Sequence, residues 1–161
     1  MAEGKRTGFF TSPHLVSVNE RIRMDNVQID NKTFLEVFRK VLKTVRRMEE
    51  DGIEHPSYFE FLFGMGMTAF AETDVEYIIL ETGLGGRLDA TNAVEKPALS
   101  IITSISLDHT AILGDTIRKI AVEKAGIIKP KVPVFFDGSN KEAAEVIRTK
   151  GEELGVYCRE V

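Results

Sequence analysis

The sequence holds no tryptophan and a single cysteine, Cys158, among its 161 residues. One thiol cannot close an internal disulfide, nor supply the several cysteines of a structural zinc site. No uninterrupted apolar run approaches the ~20 residues that cross a bilayer. The start, Met1-Ala2-Glu3-Gly4-Lys5-Arg6, lacks the apolar stretch of a signal peptide. Positive charge is not in excess: 21 Lys+Arg stand against 25 Asp+Glu, a formal net charge of −4, which argues against broad binding to a nucleic-acid backbone. There is no internal repeat, no low-complexity tract and no linker-like stretch. Two nucleotide signatures are also missing. Gly83-Leu84-Gly85 opens like a dinucleotide fingerprint, but Leu88 stands where its third glycine belongs, and no Gly-x-x-x-x-Gly-Lys-Ser/Thr phosphate loop occurs. With 43% hydrophobic residues, residues 1–161 are expected to form one soluble, cytoplasmic globular domain.

What is present begins with helical periodicity. Phe34, Val37, Phe38, Val41, Leu42, Val45 and Met48 recur at three- and four-residue steps, which predicts a helix over 34–48. Thr33 with Glu36 fits a capping box, Asp30 or Asn31 competes as the cap, and Gly52 fits as the stop. A second helix is expected from Pro56 to about residue 72, apolar around nearly its whole circumference and therefore buried on most sides. Short apolar runs without polar alternation follow at 75–80, 99–105 and 132–136, with a weaker one at 156–158. They read as strands covered on both faces, as in a parallel sheet. Helical patterns at 116–124 and 141–154 separate the later ones. The expected fold class is α/β: a mostly parallel sheet flanked by helices.

Ligands in such sheets gather beyond the carboxyl ends of the strands, and three loops leave strands there with unusual residues. Gly8-Phe9-Phe10-Thr11-Ser12-Pro13-His14-Leu15 runs into Asn19-Glu20-Arg21-Ile22-Arg23, a hydroxyl pair and a proline turn entering an aperiodic polar stretch. An ordinary surface loop accounts for this pattern as well as a site does. Glu81-Thr82-Gly83-Leu84-Gly85-Gly86-Arg87-Leu88-Asp89 puts an acid at a strand end, where it needs a partner, followed by glycines that allow a sharp turn or a close approach. A Glu81–Arg87 ion pair with glycines that merely turn is the structural alternative. Ser106-Leu107-Asp108-His109-Thr110 offers an imidazole beside acceptors that fix its tautomer, or else a turn cluster. Glu81, His109 and the hydroxyl of Ser12 would suit a hard divalent ion: Mg2+, with Mn2+ admitted by the imidazole.

Taken in order, these residues carry a family resemblance. Phe9 to Leu15 with Asn19-Glu20-Arg21-Ile22, Tyr58-Phe59-Glu60, Leu80-Glu81 through Thr91-Asn92, Ser104-Ile105 through Asp108-His109-Thr110 with Leu113-Gly114, and Glu123-Lys124-Ala125-Gly126-Ile127-Ile128-Lys129 recur in the family's order. The sequence resembles the folylpolyglutamate synthase/dihydrofolate synthase family of the Mur ligase superfamily. The resemblance implies the P-loop NTPase type of central domain and an ATP- and Mg2+-dependent acid–amino-acid ligase. In such a ligase a folate or dihydropteroate carboxylate becomes an acyl phosphate, and the amine of L-glutamate then displaces phosphate. Carried over by position, it implies Ser12, Glu81 and His109 as metal ligands, with His109 and Lys124 in the catalytic machinery. Lys124 matches the lysine that the superfamily carbamylates, although a locally paired helical lysine fits the spacing equally. Ser57, Tyr58, Phe59 and Glu60, with Leu88, Asp89 and Ala90, fall where the family shapes its pterin pocket; packing alone would assign Tyr58 and Phe59 to the core.

The departures bear on activity. Gly4-Lys5-Arg6-Thr7 resembles the family's phosphate loop only superficially, because Arg6 stands where the hydroxyl is required. Thr82 replaces a commonly apolar residue, and the interval from Glu81 to His109 is slightly long, with an insertion near Glu95-Lys96-Pro97. The sequence is thus expected to be a partial central domain, truncated at both ends and incomplete for catalysis, with an unpaired sheet edge prone to self-association. A non-catalytic pterin-binding or interaction module is the alternative. No nucleic-acid or membrane partner is expected.

Overall fold

A computed structural model describes residues 4–161; Met1-Ala2-Glu3 of the polar start lie outside the described residues. The chain divides between Gly83 and Leu84 into two units, each with its own core.

In the first unit, β1 (Thr7–Phe10) buries every second residue, Gly8 and Phe10, as a strand with one covered face must. β2 (Ile22–Met24) and β3 (Val27–Gln28) form an antiparallel hairpin. Its turn residues, Asp25 and Asn26, both take positive φ, 50° and 67°, as a type I′ turn requires. α1 (Asn31–Glu50) is capped by Asp30, whose carboxylate accepts the Thr33 N–H at 2.7 Å. Asp30 therefore takes the cap that Thr33 and Glu36 competed for.

α2 (Tyr58–Ala71) starts later than Pro56. The Ser57 hydroxyl accepts the Glu60 N–H at 3.3 Å and the Glu60 carboxylate accepts the Ser57 N–H at 2.7 Å, a capping box that fixes the first turn. Residues 61–70 are all buried or half-buried, as their apolar composition demands, because α2 packs on α1 as well as on β1 and β2. β4 (Tyr77–Leu80) then pairs in parallel with β1, giving the order β3-β2-β1-β4. At the centre Phe10 is fully buried between the rings of Phe59 and Phe63, at centroid distances of 5.6 and 5.7 Å. Gly8 lies so close to Phe70 that a β-carbon there would meet the ring at 2.7 Å.

The second unit is a three-stranded, all-parallel sheet of order β5-β6-β7: β5 (Ser100–Ile102), β6 (Val134–Phe136) and β7 (Cys158–Glu160). α3 (Thr110–Leu113) and α4 (Ile117–Ala125) link the first pair, and α5 (Lys141–Leu154) the second, because parallel neighbours need a crossover. The last strand begins later than the apolar run at 156–158. Gly155, at φ 62°, and Val156 donate to Glu152 and Gly151 carbonyls and close α5, so Val156 belongs to the cap. Ile102, Ile120, Val134, Phe136 and Ile147 form the core, with Cys158 packed against it. Burial, then Glu152, pushes the Cys158 thiol up, which suits a packing role.

Both sheets end in apolar edges. Tyr77, Ile78 and Ile79 of β4 are 56%, 41% and 55% exposed, and Ile101 of β5 is 61% exposed. No helix is long and apolar enough to cross a membrane among the described residues.

Candidate functional site

Parallel pairing of β1 and β4 sets Phe10 opposite Leu80, so their carboxyl ends deliver Thr11-Ser12 and Glu81 to one place. The Glu81 N–H donates to the Phe10 carbonyl at 2.9 Å, continuing the ladder. Its carboxylate Oε2 accepts from the Ser12 N–H at 3.0 Å and from the Thr11 hydroxyl. Oε1 has no donor among the described residues. The Glu81–Arg87 pairing is corrected: Arg87 binds Glu123 instead, at 3.0 Å. Glu81 is oriented by hydroxyl and amide donors rather than neutralised by a cation, and it is exposed.

The stretch after Ser12 is tightly held. Glu20 accepts the N–H groups of Leu15, Val16 and Ser17 at 3.0, 3.0 and 2.7 Å. The Leu15 and Ser17 bonds lead in holding its carboxyl below the usual glutamate range. Asn19, 6% exposed, donates to the Ile29 carbonyl and the Asn31 side chain, both at 2.9 Å. Arg21, 8% exposed, donates through Nε to His14 Nδ1 at 2.9 Å and places its guanidinium 5.6 Å from the centre of the Tyr58 ring.

The residues expected to shape a pterin pocket divide by role. Ser57 and Glu60 build the α2 cap, and the bonds from Ser57 lower the Glu60 carboxyl. Tyr58 is 62% exposed, so packing does not claim it. Phe59 does belong to the core edge, and a β-carbon on Gly83 would lie 2.7 Å from its ring. In the second unit Asp89 accepts from Leu84 N, Thr91 N and Thr91 Oγ1 at 3.0, 2.9 and 2.7 Å, tying the glycine loop together. Leu88 is 81% exposed, and Ala90 is half-buried. The glycine loop docks on α4: a β-carbon on Gly86 would meet the Glu123 carbonyl at 2.8 Å and that of Lys124 at 3.0 Å. These glycines are needed for close approach and not for turning alone.

Lys124 is half-buried on α4, and its amine makes no ion pair or hydrogen bond among the described residues; the neighbouring acid, Glu123, is committed to Arg87. His109 sits in the left-handed region at φ 51°, its N–H donating to Asp108 Oδ1 at 2.7 Å and its Nε2 3.7 Å from Oδ2. A non-glycine residue in this region marks a constrained backbone. No group of three or more His, Cys, Asp or Glu side chains able to hold a metal occurs among the described residues. The structure brings Ser12 and Glu81 together in the first unit; His109 and Lys124 are carried by the second. An oriented carboxylate with one free oxygen beside a hydroxyl is the donor chemistry of a hard cation, so these residues fit Mg2+. A concavity of about 460 Å3 on the outer side of α1, lined by Arg39, Lys43, Arg46 and Glu50, carries none of the candidate residues. Thr11 and Arg21 received no role from the sequence; the hydroxyl beside Ser12 signalled the first, and nothing local signals the burial of the second.

No protein-family model matches the sequence. A folylpolyglutamate synthase of Arabidopsis thaliana is 46% identical over 153 residues, covering 95% of this chain and 27% of that protein. Among solved structures, the apo form of L. casei FPGS matches with a TM-score of 0.93 and 32% identity over 99% of this chain and 39% of that one. E. coli FolC in complex with DHPP and ADP matches with a TM-score of 0.87 and 33% identity over 99% and 36%. The chain thus spans between about a quarter and two-fifths of the relatives it matches. Sequence and fold together make these 161 residues a member of the folylpolyglutamate synthase/dihydrofolate synthase family, corresponding to part of its members' length.

Proposed function

We propose that the chain serves an ATP-dependent amide ligase that adds L-glutamate to folate or dihydropteroate. The observation that carries this reading is the coupling of Thr11 and Ser12 to Glu81 across the carboxyl ends of two parallel strands. The ADP and DHPP held by the related E. coli protein supply the substrate classes. In the reaction the acid's carboxylate oxygen attacks the γ-phosphorus, ADP leaves, and the glutamate amine then attacks the acyl carbon and expels phosphate. Mg2+ or Mn2+, when bound, neutralises charge on the transferring phosphoryl oxygens.

The chain's own residues prepare that site. Thr11 and the Ser12 amide hold one Glu81 oxygen and leave the other, with the Ser12 hydroxyl, to hold the ion; His109 is the third ligand in this reading. The unpaired amine of Lys124 suits reaction with CO2, which removes its positive charge and gives an anionic carbamate. In this reading Tyr58 and Phe59 of the first unit offer apolar contact to a pterin, as do Leu88 and Ala90 of the second, while Ser57 and Glu60 shape the start of α2 and Asp89 ties the glycine loop. The cytoplasm is the setting we assign, and the open β4 edge is a surface through which copies pair.

A second reading is a module that binds pterin without turnover. Calorimetry with dihydropteroate and with Mg-ATP, alongside glutamate-dependent ADP release, separates the two. Turnover establishes the ligase, binding alone the module, and failure to bind either ligand rejects both.

A further inference from the structure

Residues 39–47 of α1 hold Arg39, Lys40, Lys43, Arg46 and Arg47 and no acid, in a chain whose formal net charge is −4. On a helix of 3.6 residues per turn, Arg39, Lys43 and Arg46 fall within an arc of about 60°. That arc lies opposite the buried Val37 and Val45, and all five cations are exposed. Lys40 pairs with Glu72, the residue that closes α2. Arg39, Lys43, Arg46 and Arg47 form no ion pair among the described residues. Like charges four residues apart, here Arg39 with Lys43 and Lys43 with Arg47, weaken a helix. The helix dipole favours a cation in the last turn, which accounts for Arg47 but not for Arg39 and Lys43 in mid-helix. These cations line the concavity of about 460 Å3, together with the half-buried Leu42 and, at the end of α1, Glu50. Four cations facing one carboxylate suit a ligand with several negative charges. No exposed large apolar side chain falls within 39–47, so the face lacks what enters a bilayer.

We propose that this face of α1 binds the oligo-γ-glutamyl tail of a folate. The choice of ligand rests on the ligase reading above: each amide-forming round leaves a new carboxylate, so a product used again carries a row of them. Successive carboxylates of a γ-linked chain are separated by five main-chain bonds, roughly 6 Å when extended, against the ~3.6 Å of the three bonds in an α-peptide. α1 offers cations at rises of about 6 Å, from Arg39 to Lys43, and about 4.5 Å, from Lys43 to Arg46. Leu42 gives the methylenes of the tail an apolar floor. No bond is made or broken at this face, which is distinct from the Thr11–Ser12–Glu81 cluster; it retains long-tailed folate.

The test follows the amide resonances of the 15N-labelled chain during titration with L-glutamate, tri-γ-glutamate, tri-α-glutamate, tripolyphosphate and pteroylmonoglutamate. Saturable shifts along residues 39–50 with tri-γ-glutamate are expected, at an affinity at least about tenfold above that of L-glutamate, as several linked contacts give. Lys43→Gln combined with Arg46→Gln is expected to weaken tri-γ-glutamate about fivefold or more, as loss of two exposed charge pairs does. Lys141→Gln, which removes an exposed charge from the start of α5, should leave it unchanged. Thermal unfolding confirms that each variant is folded. No binding of tri-γ-glutamate, or equal affinity in the folded double variant, would overturn the proposal. Tri-α-glutamate binding as tightly overturns the folate-tail assignment in favour of an acidic protein segment, and tighter tripolyphosphate overturns it in favour of a phosphate polyanion. Pteroylmonoglutamate bound without shifts on α1 by tri-γ-glutamate rejects the tail site and leaves the ligase reading standing. Tri-γ-glutamate bound on α1 without any binding of pteroylmonoglutamate supports the tail site and rejects the ligase reading separately.

Discussion

The ring of Phe59 occupies the space that a side chain on Gly83 would need: a β-carbon there would lie 2.7 and 2.8 Å from two ring carbons. Phe59 in turn leans on Phe10 at 5.6 Å, so the chain just past Glu81 is fitted to the core of the first unit. Gly83→Ala is therefore expected to destabilise by about 1–3 kcal/mol, the usual cost of overpacking. Urea unfolding measures it, and Phe59→Leu in the same chain should recover part of the loss; an unchanged midpoint in Gly83→Ala refutes the fit.

Thr11 touches the proposed cation site only through Glu81. Thr11→Val should lower Mg-nucleotide affinity about 10–100-fold, as loss of a group orienting a ligand does. Glu81→Gln should lower it further, with little change in melting temperature because Glu81 is exposed. Equal affinities in all three proteins, measured by calorimetry, would remove Glu81 from the site.

Acid should loosen the loop after Ser12. The N–H bonds from Leu15 and Ser17 lower the Glu20 carboxyl from its ordinary 4.5, so its contribution is complete above that value and is lost as pH falls through the depressed folded-state value. Hydrogen exchange at Leu15, Val16 and Ser17 is expected to lose protection in that window before the sheet amides do. Glu20→Gln should show weakened protection already at neutral pH.

Ser57→Ala should cost about 1 kcal/mol, because it removes one half of the α2 capping box. Glu60 then loses the hydroxyl that leads in lowering its carboxyl, so its titration moves back toward the ordinary value. A chemical-shift titration of Glu60 reads this independently of stability.

The edge of β4 should drive association. Ile79→Lys places a charge on an open strand, a device that discourages edge-to-edge pairing. Light scattering across a concentration series is expected to show association in the parent chain that the variant reduces. A monomeric parent would dispose of the idea.

Much of this was written locally. The 34–48 periodicity marked α1, and the apolar circumference of residues 59–70 foretold a helix covered on several sides. Asp108-His109 and Glu81 stood out as polar groups at strand ends. The β2–β3 hairpin escaped notice because strands this short carry too few residues for alternation, although Asp25-Asn26 held a turn signal. The start of α2 moved from Pro56 to Tyr58, with Ser57 as its cap, because the Ser57–Glu60 box outweighs the preference of proline for a first turn.

The sequence by itself determined the longer helices and the apolar strands β4, β5 and β6, since repeat spacing and caps act between residues a few positions apart. It also determined the family, through motifs preserved in order. Tertiary structure alone decided the partners. Arg87 was the near acid-binder for Glu81 along the chain, yet Thr11 and Ser12 reach it, about seventy residues away, because β1 and β4 lie side by side. Arg21 reads as one more polar residue in a loop until the fold removes its solvent and sets it against His14 and Tyr58. Burial and long-range pairing depend on which surfaces meet, and no local pattern encodes that.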